Sequence, residues 1–154
     1  MLLVARRVRR QAIGRDARAV VYRARFVPEP PAAPFEIDVS SPAAGVRVVA
    51  LRGELDLDAA PSLAGVLDEL RGSGSRELVV DLSRLDFVDS SGISTLVGAA
   101  RAVAADRGML VVASPTAHVR RVFEIVNLSE IVAIEDDVAS ALRRIGWSRE
   151  QTAG

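Results

Sequence analysis

The sequence predicts an α/β fold: a small mixed, mostly parallel β-sheet in the element order ββαβαβαβα, with helices packed against it and a basic extension at the N-terminus. Three observations carry this. From Phe35 onward, short β-branched runs alternate with segments whose apolar residues recur at helical spacing, the pattern of strands joined by crossover helices. A length of 154 residues suits one domain with a real core. "PEPPAAP" at 28–34 reads as a stiff extended linker, because consecutive prolines fix φ and remove backbone donors. The expected division is therefore an extension over 1–34, the domain over 35–147 and a tail over 148–154.

"FEIDVS" and "VRVVALRG" read as strands paired in a hairpin through "SPAAG". "ELDLDAAPSLAGVLDELRGSGS" then offers Asp58 as an N-cap, sets Leu63, Val66, Leu67 and Leu70 at helical spacing and ends in glycines. Leu78 to Leu82 is apolar apart from Asp81, and the run Leu78-Val79-Val80 is what a strand buried on both faces should show. "DSSG" follows, and a helix is expected from about Ser91 to Asp106, with Arg107 at its negative end and Gly108 as the C-cap. "MLVVAS" is the next strand. "PTAHVRRVFEIVNL" places Pro115 near the first turn of a helix, Val119, Val122, Phe123 and Val126 on one stripe, and Asn127 at its end. "EIVAIE" gives a last strand, and "DDVASALRRIGW" a closing helix capped by Asp136 or Asp137.

The zero net charge hides an asymmetry. Residues 1–35 hold eight arginines against Asp16 and Glu29, a net +6, whereas residues 36–154 hold twelve arginines against eighteen carboxylates, a net −6. For the basic segment a disordered arm, an amphipathic surface helix, sequence upstream of a later start codon, a short ordered element and an arm whose arginines at 6, 7, 9, 10, 15, 18, 23 and 25 meet anionic lipid or nucleic acid all stand open. Its arginines follow the short apolar run, the reverse of a signal peptide. Without cysteine there is no disulfide, thiolate nucleophile or thiolate metal site, and a cytoplasmic location is expected. Every basic residue is arginine, which excludes a lysine-dependent phosphate loop or Schiff base. A phosphoryl receiver site, which also needs a lysine, falls with them.

His118 is the only histidine, and it lies in a helix beside Arg120 and Arg121, so neither a Ser–His–Asp triad nor a histidine metal site is expected. "DSSG" is different. Asp89, Ser90 and Ser91 stand between a central strand and a helix start, whose unpaired N–H groups attract anions and whose first turn a serine hydroxyl can cap; Gly92 permits close backbone approach. By itself this is a capping pattern.

Together with "GELD" at 53–56, "VVDLSRLDFVDSSGISTLVGAAR" at 79–101 and "MLVVASPTAHVRRVFEIVNLSEIVAIEDDVASAL" at 109–142, it resembles the STAS domain of bacterial anti-sigma factor antagonists over Phe35 to Ile145. The resemblance implies a regulator rather than an enzyme, without cofactor or metal. It implies phosphorylation of the serine directly after the motif aspartate, here Ser90, with Ser91 as the alternative. The kinase would be the anti-sigma factor itself, a histidine-kinase-like ATPase. Unphosphorylated protein would bind it and free the sigma factor, and phosphorylated protein would stay released until a serine phosphatase restored it. Partner contacts would come from Glu54, Asp56, Asp89, Ser90, Ser91 and Gly92, where the plain alternative is a solvated turn. No direct DNA binding is expected. A STAS-type interaction or scaffold module that binds a protein or small ligand without phosphorylation remains the second reading. Where the family often carries a second glycine after that of the motif, this chain has Gly92-Ile93-Ser94, which bears on partner choice.

Overall fold

The computed structural model describes the backbone of residues 5–12, 20–26 and 34–152 and the side chains of 34–146. The chain divides into two units, Met1–Ala32 and Ala33–Gly154. In the first, β1 (Ala5–Ala12) and β2 (Val20–Phe26) form an antiparallel two-stranded ribbon. The tail expected over 148–154 lies largely outside the residues whose side chains are described.

The second unit follows the expected order. β3 (Glu36–Ala43) and β4 (Val46–Leu55) form the hairpin, followed by α1 (Ala60–Gly72), β5 (Glu77–Val88), α2 (Ser90–Ala105), β6 (Met109–Ala113), α3 (Ala117–Ile125), a 3-10 turn at Leu128–Glu130, β7 (Ala133–Glu135) and α4 (Val138–Thr152). The five strands lie in the order β3-β4-β5-β6-β7, antiparallel only between β3 and β4. Strand alternation sorts the core into two layers. Val49, Leu78, Val80, Leu110 and Val112 face the apolar sides of α1, α2 and α3, whereas Val46, Val79, Val111 and Ala113 face Ala141 and Ile145 of α4.

Several boundaries differ from the sequence expectation for identifiable reasons. β5 continues to Val88 because register shifts opposite β4 absorb the exposed steps Ser83-Arg84 and Asp86-Phe87 and return Leu85 and Val88 to the core. The N-cap of α1 is Ala59, not Asp58; Asp56 Oδ1 instead accepts the Ala59 N–H at 2.9 Å. At the end of α2, Arg107 takes the left-handed position (φ 62°), with the Arg107 N–H donated to Ala104 and the Gly108 N–H to Val103, so Gly108 is not the cap. A Cβ on Gly108 would fall on the Arg76 carbonyl oxygen, which accounts for glycine there. Pro115 lies beside the start of α3 as expected, one residue before its N-cap, Thr116. Val126 is 45% exposed, off the buried stripe of Val119 and Phe123, while Asn127 ends α3 in the left-handed conformation (φ 52°) as its residue type suggests. The last strand is shorter than expected because Leu128–Glu130 winds into the 3-10 turn. α4 is capped by Asp137, whose Oδ1 accepts the Ser140 N–H, and it runs beyond Trp147.

Candidate functional site

The parallel strands β4, β5 and β6 all finish at one end of the sheet, where their connections to α1, α2 and α3 emerge. In open α/β sheets this carboxyl end is where ligands and partners are met. β5 is in the middle of the sheet and delivers Asp89 and α2 there.

Asp89 is the N-cap of α2, with extended backbone (φ −108°, ψ −175°). Its Oδ1 accepts the backbone N–H groups of Ser91 (2.9 Å) and Gly92 (3.0 Å), satisfying two of the donors a helix start leaves unpaired. Its Oδ2 accepts the Leu57 N–H at 3.1 Å, and its own N–H is donated to the Leu55 carbonyl at 3.2 Å. One carboxylate therefore caps the helix and ties it to the β4–α1 turn. The serine hydroxyls expected as possible caps do not serve that purpose.

Gly92 completes the junction. A Cβ there would lie 2.7 Å from both Cγ and the carbonyl oxygen of Leu55 and 2.8 Å from Cγ2 of Val88, so only glycine lets α2 sit this close to β4. Ser90, held at the first helical position by this clamp, is exposed, whereas Ser91 is half-buried. Among the described residues no hydrogen bond engages either serine hydroxyl. Ser94 is exposed one turn after Ser90, on the same side of the helix, and Thr95 Oγ1 donates back to the Ser91 carbonyl at 3.0 Å.

The "GELD" turn lies against this helix start, joined by the Leu55 and Leu57 bonds to Asp89. Gly53 takes a positive φ of 96° at a register shift between β4 and β5, which turns Glu54 into solvent opposite Phe87. Asp56 is half-buried and occupied with the Ala59 N–H. Two features of this end escape the sequence reading. Leu57 is 70% exposed, and Phe87, 38% exposed, stacks on His118 of α3 with ring centroids 6.4 Å apart. The signal for Phe87 was its place between two residues, Leu85 and Val88, that are both core; a strict two-residue period cannot bury all three.

The carboxylates next in sequence to the exposed Leu57 and Phe87, Asp58 and Asp86, are themselves exposed, as is Glu54. Among the described residues no group of three or more acidic, histidine or cysteine side chains is arranged to hold a metal ion. No helix among them is long and apolar enough to cross a membrane.

The STAS domain family model matches residues 41–141, a span that holds the whole of this junction. The chain belongs to the STAS family of anti-sigma factor antagonists. An anti-sigma-B factor antagonist of Staphylococcus aureus (strain NCTC 8325 / PS 47) is 30% identical over 88 residues, 57% of this chain and 82% of that protein. Among solved structures, the anti-sigma factor antagonist SpoIIAA in its unphosphorylated form superposes with a TM-score of 0.63 at 24% identity, over 71% of this chain and 96% of that one. An anti-sigma factor antagonist from Mycobacterium paratuberculosis gives 0.66 at 24% identity, over 73% and 94%. The structure of Bacillus SpoIIAA in its phosphorylated form gives 0.58 at 22% identity, over 71% and 99%. These structural likenesses establish the shared fold.

Proposed function

We propose that this STAS domain is a partner-switching regulator: unphosphorylated, it binds an anti-sigma factor that is also a serine kinase and so frees a sigma factor, and phosphorylation of Ser90 ends that binding. The observation that supports this reading is the placement of Ser90. It is the exposed first residue of a helix whose start is fixed by Asp89 and Gly92 against the turn carrying Glu54 and Leu57. Ser91 makes a poorer acceptor, because it is half-buried and its N–H is held by Asp89.

The switch acts at the interface and not through refolding. A phosphoserine adds about −1.5 to −2 charge, and a helix start ordinarily compensates an anion with its free N–H groups. Here those of Ser91 and Gly92 are already donated to Asp89. The phosphate therefore stands in solvent beside Asp86 and Asp89, with little internal compensation. A partner surface fitted to a neutral hydroxyl would have to desolvate that dianion. SpoIIAA, which shares this fold, has been solved in both phosphorylated and unphosphorylated forms, which accords with the proposal.

Leu57 and Phe87 supply the apolar anchor, Glu54 the exposed acidic contact, and Ser94, where relatives often carry glycine, a feature that tunes partner choice. The protein is a regulator and not a catalyst. Binding of the host's histidine-kinase-like ATPase to purified unmodified, Ser90-phosphorylated and Ser90→Ala protein tests the proposal. Unmodified and Ser90→Ala protein should bind alike, and the phosphorylated form about 30-fold or more weaker, the scale of leaving a charge unpaired in an interface. Equal affinity for all three would overturn the switch and leave a STAS interaction module.

A further inference from the structure

The arginine excess of the N-terminal segment plays no part in the switch, and the ribbon places it in register. In an antiparallel pair, residues directly opposite share a face, and residues two apart along a strand continue it. Arg7 is opposite Arg25 and Arg9 is opposite Arg23, so four arginines occupy one face in two successive rungs. Gln11 with Val21 continues that face, the other face carries Val8 with Ala24, Arg10 with Tyr22 and Ala12 with Val20, and Arg6 falls at the register shift between Ala5 and Arg7. Neither strand contains an aspartate or glutamate.

Like charges directly opposite one another destabilise a strand pair, and an isolated two-stranded ribbon is marginal in water to begin with. A polyanion that neutralises the arginine face would remove the first cost. We propose that the β1–β2 ribbon is a nucleic-acid-binding element that sets the face of Arg7, Arg9, Arg23 and Arg25 against the phosphate backbone of a duplex. The major groove of a duplex admits a two-stranded ribbon, and guanidinium groups bond phosphate oxygens in pairs. A lipid surface fits less well: the face that would have to enter it is made of valines, alanines and one tyrosine, with Arg10 in its centre. Composition alone leaves anionic lipid and nucleic acid equally open. The strand register changes that by turning a charge count into a single face.

The test is fluorescence anisotropy of the full-length chain with a labelled duplex of mixed sequence at several salt concentrations. Four phosphate contacts give a log–log salt slope of about −3.6, so affinity should fall about 150-fold between about 50 and 200 mM salt. The quadruple variant R7Q/R9Q/R23Q/R25Q should lose most of the binding and nearly all of the slope. The variant R6Q/R10Q/R15Q/R18Q removes the same charge from other positions and should keep most of the slope, as should the charge-preserving R7K/R9K/R23K/R25K. Equal losses in the two glutamine variants would overturn the ribbon face in favour of a loose basic arm. Binding to phosphatidylserine vesicles without binding to the duplex would overturn the nucleic-acid assignment. Both glutamine variants should retain normal binding of the ATPase partner, which keeps this test separate from that of the switch.

Discussion

The double duty of Asp89 can be divided by substitution. Asp89→Asn retains an Oδ1 that can accept the Ser91 and Gly92 N–H groups, so the helix cap persists, but it turns an amide NH₂ toward the Leu57 N–H, donor against donor. Asp89→Ala removes both the cap and the tie. Losing an N-cap costs about 0.5–2 kcal/mol. Losing one further backbone hydrogen bond costs about 0.5–1.5 kcal/mol, toward the lower end here because Leu57 is exposed and water can replace the carboxylate. Asp89→Asn should therefore lower stability by about 0.5–1 kcal/mol and Asp89→Ala by about 1–3 kcal/mol, measured by urea denaturation followed by far-UV circular dichroism. Amide exchange should show Leu57 losing protection in both variants, but Ser91 and Gly92 only in the alanine one. Equal stability of the two variants, or an unchanged Leu57 amide in Asp89→Asn, would refute the division into cap and tie.

Other substitutions probe the surroundings. Gly92→Ala would gain about 1 kcal/mol in helix propensity but lose about 1–3 kcal/mol to the forced displacement of Leu55 and Val88, a net destabilisation of up to about 2 kcal/mol in the same denaturation assay. Leu57→Ala, at a residue 70% exposed, should leave stability within about 0.5 kcal/mol. It should weaken the ATPase partner about tenfold if Leu57 is an anchor, as calorimetry of the complex would show. The acid side of the stability curve reports on α4. Hydrogen bonds from the Ser140 backbone N–H and hydroxyl hold the Asp137 carboxyl below its ordinary value of 3.8. Because the folded value is the lower one, this contribution is complete above the ordinary value and is lost as pH falls below it. Thermal melts of Asp137→Asn, which can still cap the helix, should show a shallower loss of stability in acid than the parent chain; parallel acid profiles would contradict the cap's role.

The order of elements in the second unit was legible because each strand and helix carries its own period. An apolar run interrupted only by Asp81 marked β5 from Leu78 to Leu82, but its continuation to Val88 depends on register shifts against β4, which no local pattern records. Asn127 announced the end of α3 by its residue type, whereas the left-handed Arg107 carries no such signal, and the close approach of Gly108 to Arg76 joins residues distant in sequence. At the site, the sequence placed Asp89, Ser90, Ser91 and Gly92 at a helix start. It could not choose among the capping groups, since aspartate and serine are both good caps; the choice came from the Leu57 N–H, thirty-two positions away, which draws the carboxylate across the turn. Leu57 itself looked like one more apolar residue before α1, and only the fold shows it in solvent.

The central claim is that Ser90 is the phosphoacceptor. Phosphopeptide mass spectrometry on the protein from its native host, in growing and in stressed cells with Ser90→Ala alongside, tests it most directly. The account predicts phosphate on Ser90 whose occupancy changes with condition and disappears in the variant. A fully covered peptide that is unmodified in every condition, or one carrying its phosphate on Ser91, would contradict it.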